Sequence, residues 1–333
     1  MTSATKMVNI GRLLGRRDTG VSLIKLQRYI STAEKVSCDR EFREVAIEVP
    51  WGKIAGKHWG PPDVKPIIAL HGWQDNAGSF DPLIKHLPED LSILAVDFPG
   101  HGHSSWLPKG MMYANLVYIQ LVHRIKQHYN MNRVGLIGHS LGGIMCFNYT
   151  ALFPDAVKFV VAFDNFKYPV YDSKKYLPIF IKNWEKFFQI EEMRTAAPRH
   201  SEKNAIERYI RGTRNSLDEE MCRTLLVRGA TRHADGTLTF NRDPRVQFFL
   251  FDNGFSNEQL IDMASRIRCP YAVIKGENST FREEKEFYSE VLQVIKGHSP
   301  DFRFHTMPGT HHFHMTNKSD LADLISPFIK KHV

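Results

Sequence analysis

A serine that acts as a nucleophile needs four things from its chain: a turn that exposes the hydroxyl, a base, a carboxylate to orient that base, and donors for the oxyanion. Ser140 stands in Gly138-His139-Ser140-Leu141-Gly142-Gly143, a Gly-X-Ser-X-Gly pattern. Glycines on both sides of such a serine let a strand and a helix pass close together around a strained turn. An ordinary serine in a Gly-rich turn would fit the bare pattern equally well, so the flanks decide. Val134 to Ile137 reads as a buried strand and Ile144 to Phe153 as a buried helix, the strand-turn-helix context that the elbow requires.

The base is expected in Gly309-Thr310-His311-His312-Phe313-His314, which follows the last predicted strand. His311 is the choice, two residues beyond Gly309, with His314 expected to turn toward the following helix. A metal cluster of His311, His312 and His314 is the competing idea, weakened by the lack of carboxylates or cysteines beside them in sequence. For the acid Asp164 is favoured, with Glu277 as the alternative. Asp164 closes the strand after the elbow helix, with a helix or turn cap as its bland alternative, and Glu277 lies at the end of the next sheet strand, where it could instead be a solvated loop carboxylate. Oxyanion donors are expected from the backbone N–H of Leu141, which follows the nucleophile, and of Trp73 in His71-Gly72-Trp73. The Trp73 ring would wall the pocket, or else only pack. In Asp97 to Ser104 a pairing of His101 with His103 as ligands is set against a structural role, which is the commoner fate of such a pair.

These residues need strands to carry them. Val45, Ile47 and Val49 alternate ahead of Trp51-Gly52 and Ile54 to Trp59, which predicts an antiparallel hairpin. Strands are expected to follow at Pro66 to Leu70, Leu91 to Val96, Val134 to Ile137, Lys158 to Phe163, Tyr271 to Lys275 and Phe302 to Met307. The helical stretches between them run from about Ser79 to Leu87, Ala114 to Tyr129, Ile144 to Phe153, Arg282 to Lys296 and Lys318 to Lys331. This alternation predicts an α/β fold with a mostly parallel central sheet flanked by helices. Residues 42–165 and 264–333 form its core. Residues 166–263 break the rhythm and read as a helical lid inserted at the carboxyl ends of the strands, over Ser140, with a hairpin-like piece around Leu238 to Asp243. Its aromatics Tyr171, Tyr176, Phe180, Trp184, Phe187 and Phe188 are spaced as a helical stripe, a pattern more often core than binding surface.

Composition sets the outer bounds. The 333 residues, 42% hydrophobic and 24% charged, suffice for one large core. Of the formal charge of +8, residues 1–35 carry +5, from seven Lys and Arg against two acids, leaving +3 for the remainder. A body so close to neutral offers no basis for nucleic-acid binding. The basic leader has the composition of a mitochondrial transit peptide or of a frayed tail, so the expected site of action is mitochondrial or cytoplasmic. Cys38, Cys146, Cys222 and Cys269 are too widely spaced for a Cys-X-X-Cys zinc site or a dense disulfide framework. No apolar run reaches the roughly 18 residues that a membrane span needs, and neither a cofactor nor a metal is indicated.

Taken in order, His71-Gly72-Trp73-Gln74-Asp75-Asn76-Ala77-Gly78-Ser79-Phe80-Asp81, Asp97-Phe98-Pro99-Gly100-His101-Gly102-His103-Ser104, the Ser140 elbow and Gly309-Thr310-His311 resemble the α/β-hydrolase superfamily and, within it, the serine hydrolase-like group. The resemblance covers about Phe42 to Val333 and implies an esterase or lipase type of serine hydrolase with Ser140 as nucleophile, His311 as base and donors at Trp73 and Leu141. Epoxide hydrolases and haloalkane dehalogenases share that fold with an Asp as nucleophile, so Ser140 argues against both. The departure is Ser279, which stands where an acid is common in the superfamily. The expected activity is hydrolysis of a carboxylic ester, thioesters and lipid esters included, on a small-molecule substrate. Cleavage of a carbon–carbon or amide bond, or a fold retained as a non-catalytic binder, are the alternatives.

Overall fold

The computed structural model describes residues 40–170, 172–192, 197–251, 255–280 and 283–333. The leader at 1–35, Cys38, Tyr171 and the side chain of Tyr176 lie outside that description.

Two strands, β1 (Phe42–Val49) and β2 (Gly52–Trp59), form the antiparallel hairpin at one edge of the sheet. Then come β3 (Ile67–Leu70), α1 (Asp81–Ile84), β4 (Ile93–Val96), α2 (Asn115–His128), β5 (Val134–His139), α3 (Leu141–Leu152) and β6 (Val157–Phe163). After a long insertion the pattern resumes with β9 (Tyr271–Gly276), α8 (Lys285–His298), β10 (Phe302–Met307), α9 (Phe313–Thr316) and α10 (Lys318–His332). The eight strands lie in the order β1-β2-β4-β3-β5-β6-β9-β10. All pairings from β4 to β10 are parallel, and β2 alone runs against its neighbours.

Period-two alternation sorts the strand residues into two layers. Ile68, Leu70, Leu94, Val96, Leu136, Val160 and Val273 point to one face, where they meet Tyr118, Leu121 and Ile125 of α2 and the apolar side of α3. Their neighbours Ile67, Ala69, Ile93, Ala95, Ile137, Val161 and Ile274 point to the other, against Leu83 and Ile84 of α1 and Leu321, Ile325 and Ile329 of α10. Strands covered on both faces must be apolar throughout, which is why they read as continuous runs.

The insertion holds α4 (Ser173–Glu192), α5 (Glu202–Gly212), α6 (Glu219–Gly229), the short hairpin of β7 (Ala230–Arg232) and β8 (Leu238–Phe240), and α7 (Asn257–Ala264). Ala205, Ile206, Tyr209, Met221, Leu225 and Leu238 gather into a separate small core. By contrast, Leu260 and Ala264 of α7 belong to the sheet's own cluster. Ion pairs tie the insertion to the rest of the fold: Arg228 Nε lies 2.7 Å from the buried Asp97 and Arg228 Nη1 2.6 Å from the exposed Glu44, while Lys167 Nζ lies 2.5 Å from the buried Glu283.

Three expectations need correction. The helix expected over Ser79 to Leu87 is a 3-10 turn, Ala77–Phe80, followed by the single-turn α1. Pro82 is tolerated in that first turn, but Pro88 disfavours helical geometry at Leu87. The elbow helix starts at Leu141 rather than Ile144, because Gly142 and Gly143 are drawn into it by close packing. Among its described members the aromatic stripe is only partly core. Phe187 is buried against Phe248, whereas Trp184 and Phe188 are 43% and 47% exposed. Among the described residues no helix is long and apolar enough to cross a membrane.

Candidate active site

Ser140 caps the turn between β5 and α3 with φ 53° and ψ −112°, a conformation that costs a non-glycine residue on the order of 1–3 kcal/mol. Two backbone bonds hold it there: Ser140 N–H donates to Phe163 O at 3.0 Å and Gly142 N–H to His71 O at 3.1 Å. The turn closes only because its flanks lack side chains. A Cβ on Gly142 would lie 1.9 Å from Leu70 O, and one on Gly138 would lie 2.4 Å from the Gly142 backbone. Leu141 opens α3, so its N–H has no partner within the helix and carries the positive end of the helix dipole.

The loop after β10 brings His311 to this turn. His139, the residue before Ser140, donates its Nε2–H to His311 O at 2.9 Å, and the two rings lie 4.8 Å apart. His311 Nδ1 lies 2.5 Å from Asp164 Oδ2. Asp164 is itself at φ 67°, just past β6, with its N–H on Ile274 O at 2.7 Å. Its carboxylate is well supplied: Oδ2 accepts from Ser279 Oγ at 2.6 Å, and Oδ1 faces Lys275 Nζ at 3.0 Å and the Gly276 N–H at 3.3 Å. Despite its burial, the contact with His311 and, after it, those with Lys275 and Ser279 hold Asp164 well below the usual carboxylate range. Burial drives the His311 imidazole down to about 3, opposed by the bond to Asp164. His311 is therefore neutral at neutral pH and, with Nδ1–H given to Asp164, presents an Nε2 lone pair able to accept a proton.

Of the two candidate acids, the one on the histidine is Asp164. Glu277 is exposed one residue beyond β9, its N–H on Met307 O. Ser279, noted in sequence only as a departure, is buried and donates to the Asp164 carboxylate. Lys275 also escaped sequence reading; its position at the end of β9, the strand beside β6, was the signal that it could reach Asp164.

Trp73 is half-buried in a turn closed by Asp75 N–H on Gly72 O at 3.1 Å, and its indole N–H donates to Val246 O of the insertion at 2.8 Å. The next residue, Gln74, sits at φ 64°. Among the described residues six non-glycines have positive φ, and Gln74, Ser140 and Asp164 are three of them. Strain at these points is borne by the surrounding structure, as is typical of positions that must aim a group. Asp97 organises the floor: Oδ1 accepts Ala77 N–H at 2.8 Å, and Oδ2 accepts His103 N–H at 2.8 Å and Arg228 Nε–H at 2.7 Å. His101 and His103 do not form a ligand pair. His101 is buried with its Nε2 on Gln74 N–H at 3.3 Å, and His103 is exposed.

Among the described residues the competing arrangement, a cluster of His311, His312 and His314, does not form either. His312 Nε2 faces Asp75 Oδ2 at 3.5 Å, in a group with His139, and His314 is buried against the His139 ring at 4.1 Å rather than turned toward α10. A carboxylate is thus present beside the histidines after all; it comes from a loop more than two hundred residues earlier, which local spacing cannot reveal.

Comparison with known proteins places the geometry in context. The model of the α/β-hydrolase fold family matches residues 65–318. A "Probable serine hydrolase" of Drosophila melanogaster is 36% identical over 295 residues, covering 87% of this chain and 88% of the relative. "Esterase Rv0045c" of Mycobacterium tuberculosis is 33% identical over 132 residues, covering 40% of this chain and 43% of that protein. The crystal structure of the hypothetical protein PA1622 from Pseudomonas aeruginosa PAO1 superposes with a TM-score of 0.74 at 27% identity, over 86% of this chain and 99% of that one.

Proposed function

This chain belongs to the α/β-hydrolase fold family, in its serine hydrolase-like group, and on that premise we propose that it hydrolyses a carboxylic ester, thioester or lipid ester through an acyl-enzyme on Ser140. The observation that carries the reading is the 2.5 Å contact of Asp164 with His311, whose carbonyl is in turn held by the residue preceding Ser140.

In the first half-reaction His311 Nε2 accepts the Ser140 hydroxyl proton as Oγ attacks the acyl carbon. The tetrahedral oxyanion is held by the N–H groups of Leu141 and Trp73, the former at the positive end of α3. His311 then returns the proton to the departing alcohol or thiol. In the second half it takes a proton from water as the water oxygen attacks the acyl carbon, then gives that proton to Ser140 Oγ as the C–Oγ bond breaks and the carboxylic acid leaves. Asp164 keeps its charge throughout and stabilises the imidazolium formed in each half. The insertion at 166–263 acts as the lid, and the Trp73 indole bond to Val246 couples it to the oxyanion turn.

The test is steady-state turnover across p-nitrophenyl esters of increasing acyl length. Turnover that His311→Gln lowers by about 10³-fold or more supports the reading. A chain that binds these esters without turnover would instead be a non-catalytic member of the fold.

A further inference from the structure

Beside the serine site lies a second constellation that the proposed mechanism does not use. Asp75 from the loop after β3, His139 from the end of β5 and His312 from the loop after β10 are all buried, and one donor atom from each lies within 4.8 Å of the others. Asp75 Oδ2 is 3.4 Å from His139 Nδ1 and 3.5 Å from His312 Nε2.

Hydrogen-bond bookkeeping decides what these atoms can offer. His139 Nε2 faces a carbonyl, His311 O, which can only accept, so the proton of a neutral His139 is on Nε2 and Nδ1 is a lone pair. Thr310 Oγ1 gives its hydrogen to Ser216 O, and Ser216 Oγ gives its own to Thr310 Oγ1. Ser216 Oγ must therefore accept from His312 Nδ1 at 2.8 Å, which leaves Nε2 of a neutral His312 as a lone pair as well. Two imidazole lone pairs and a carboxylate oxygen thus converge. Among the described residues Asp75 Oδ2 and His139 Nδ1 are buried with no hydrogen-bond partner. Three acceptors in a dry site repel one another unless a cation joins them.

The spacing identifies the kind of cation. The two distances are longer than the roughly 2.7–2.9 Å of a charge-assisted N–H···O bond. Both are close to the edge of a tetrahedron with metal–ligand bonds of about 2.0–2.1 Å, which is about 3.3–3.4 Å, and the two imidazole nitrogens lie within 4.8 Å of each other. Each histidine already has its other ring nitrogen anchored, on a carbonyl or a serine, as ligating histidines usually do. Gly72 leaves the place clear: a Cβ there would lie 2.7 Å from both Asp75 Oδ2 and His139 Nδ1.

We propose that Asp75 Oδ2, His139 Nδ1 and His312 Nε2 form a binding site for one borderline divalent cation of the Zn²⁺ type, with a fourth position open to water. The ion would fasten together the oxyanion turn, the nucleophile turn and the base loop. The inference is independent of whether the chain cleaves esters, since its readout is metal binding.

The experiment is equilibrium dialysis of the full chain, stripped with chelator, against Zn²⁺ and Co²⁺ at neutral pH. One ion per chain is expected, with the intense visible absorption of four-coordinate Co²⁺. Asp75→Asn and His312→Gln should each weaken Zn²⁺ by at least about 100-fold, since even loss of an outer partner costs 10–100-fold. His311→Gln, and His298→Gln at an exposed histidine, should keep it. No uptake, uptake unchanged by the first two substitutions, or uptake abolished by His311→Gln alone would overturn the site. Should either ligand variant not fold, X-ray absorption of the Zn²⁺-loaded wild type decides: two imidazoles and an oxygen shell at about 2.0–2.1 Å are expected, and a sulfur shell or fewer than two imidazoles contradicts the proposal.

Discussion

Asp164 and Glu277 differ in what surrounds them more than in their chemistry, and that difference should be large in kinetics. Asp164 is enclosed, with Ser279, Lys275 and the Gly276 N–H holding its charge against His311. Asp164→Asn keeps the shape but removes the charge that stabilises the imidazolium, so kcat should fall by about 10³–10⁴, while Glu277→Gln should stay within about twofold on the same ester. Ser279→Ala removes one charge-assisted bond, worth about 1.5 kcal/mol, and should lower kcat about tenfold with KM little changed. Ser140, His311, Trp73 and Leu141 could be put forward as candidates from sequence because each is marked by glycines and strand ends within a few residues. The acid could only be ranked that way, Asp164 ahead of Glu277. Its contact with His311 spans 147 residues and depends on a left-handed backbone at Asp164, which no neighbouring glycine announces.

The strands were legible almost to the residue, since a buried parallel strand can be made only from an uninterrupted apolar run. The helices were less so. Their ends are set by tertiary contacts such as the approach of α3 to β3, where Gly142 lies under Leu70 O. A methyl group there has nowhere to go, and Gly142→Ala should lower unfolding free energy by 3 kcal/mol or more, about the upper range for point changes, as read from the urea midpoint. The insertion was recognisable from its broken rhythm, but its anchors were not. Arg228 on α6 reaches the buried Asp97 and the β1 residue Glu44 at once. Arg228→Met would leave the Asp97 charge buried without its cation, at a cost of about 3–5 kcal/mol. Differential scanning calorimetry should record the loss as a lower Tm.

For the molecule as a whole, burial has placed neutral histidines where acid can reach them only by unfolding. His71 accepts Phe98 N–H at Nε2 and gives Nδ1–H to Gly72 O; His101 accepts Gln74 N–H at Nε2 and gives Nδ1–H to Pro99 O. Neither can take a second proton without losing a bond. Burial lowers them to about 4 and about 3 from an ordinary 6.5. Below pH 6.5 the unfolded chain binds protons that the folded chain refuses, so stability is full above that value and falls as pH drops toward 4. Each histidine contributes up to about 1.4 kcal/mol per pH unit, and urea midpoints between pH 7 and 4.5 should show the decline, made shallower by His101→Gln. The claim on which the rest depends is that Ser140 is the nucleophile, and one measurement reaches it directly. The intact chain is treated with a fluorophosphonate, weighed by mass spectrometry and mapped after digestion, beside Ser140→Ala. One adduct per chain on the peptide bearing Ser140, and none on the variant, is the expected result. An adduct on another residue, or labelling that survives in Ser140→Ala, would contradict the account.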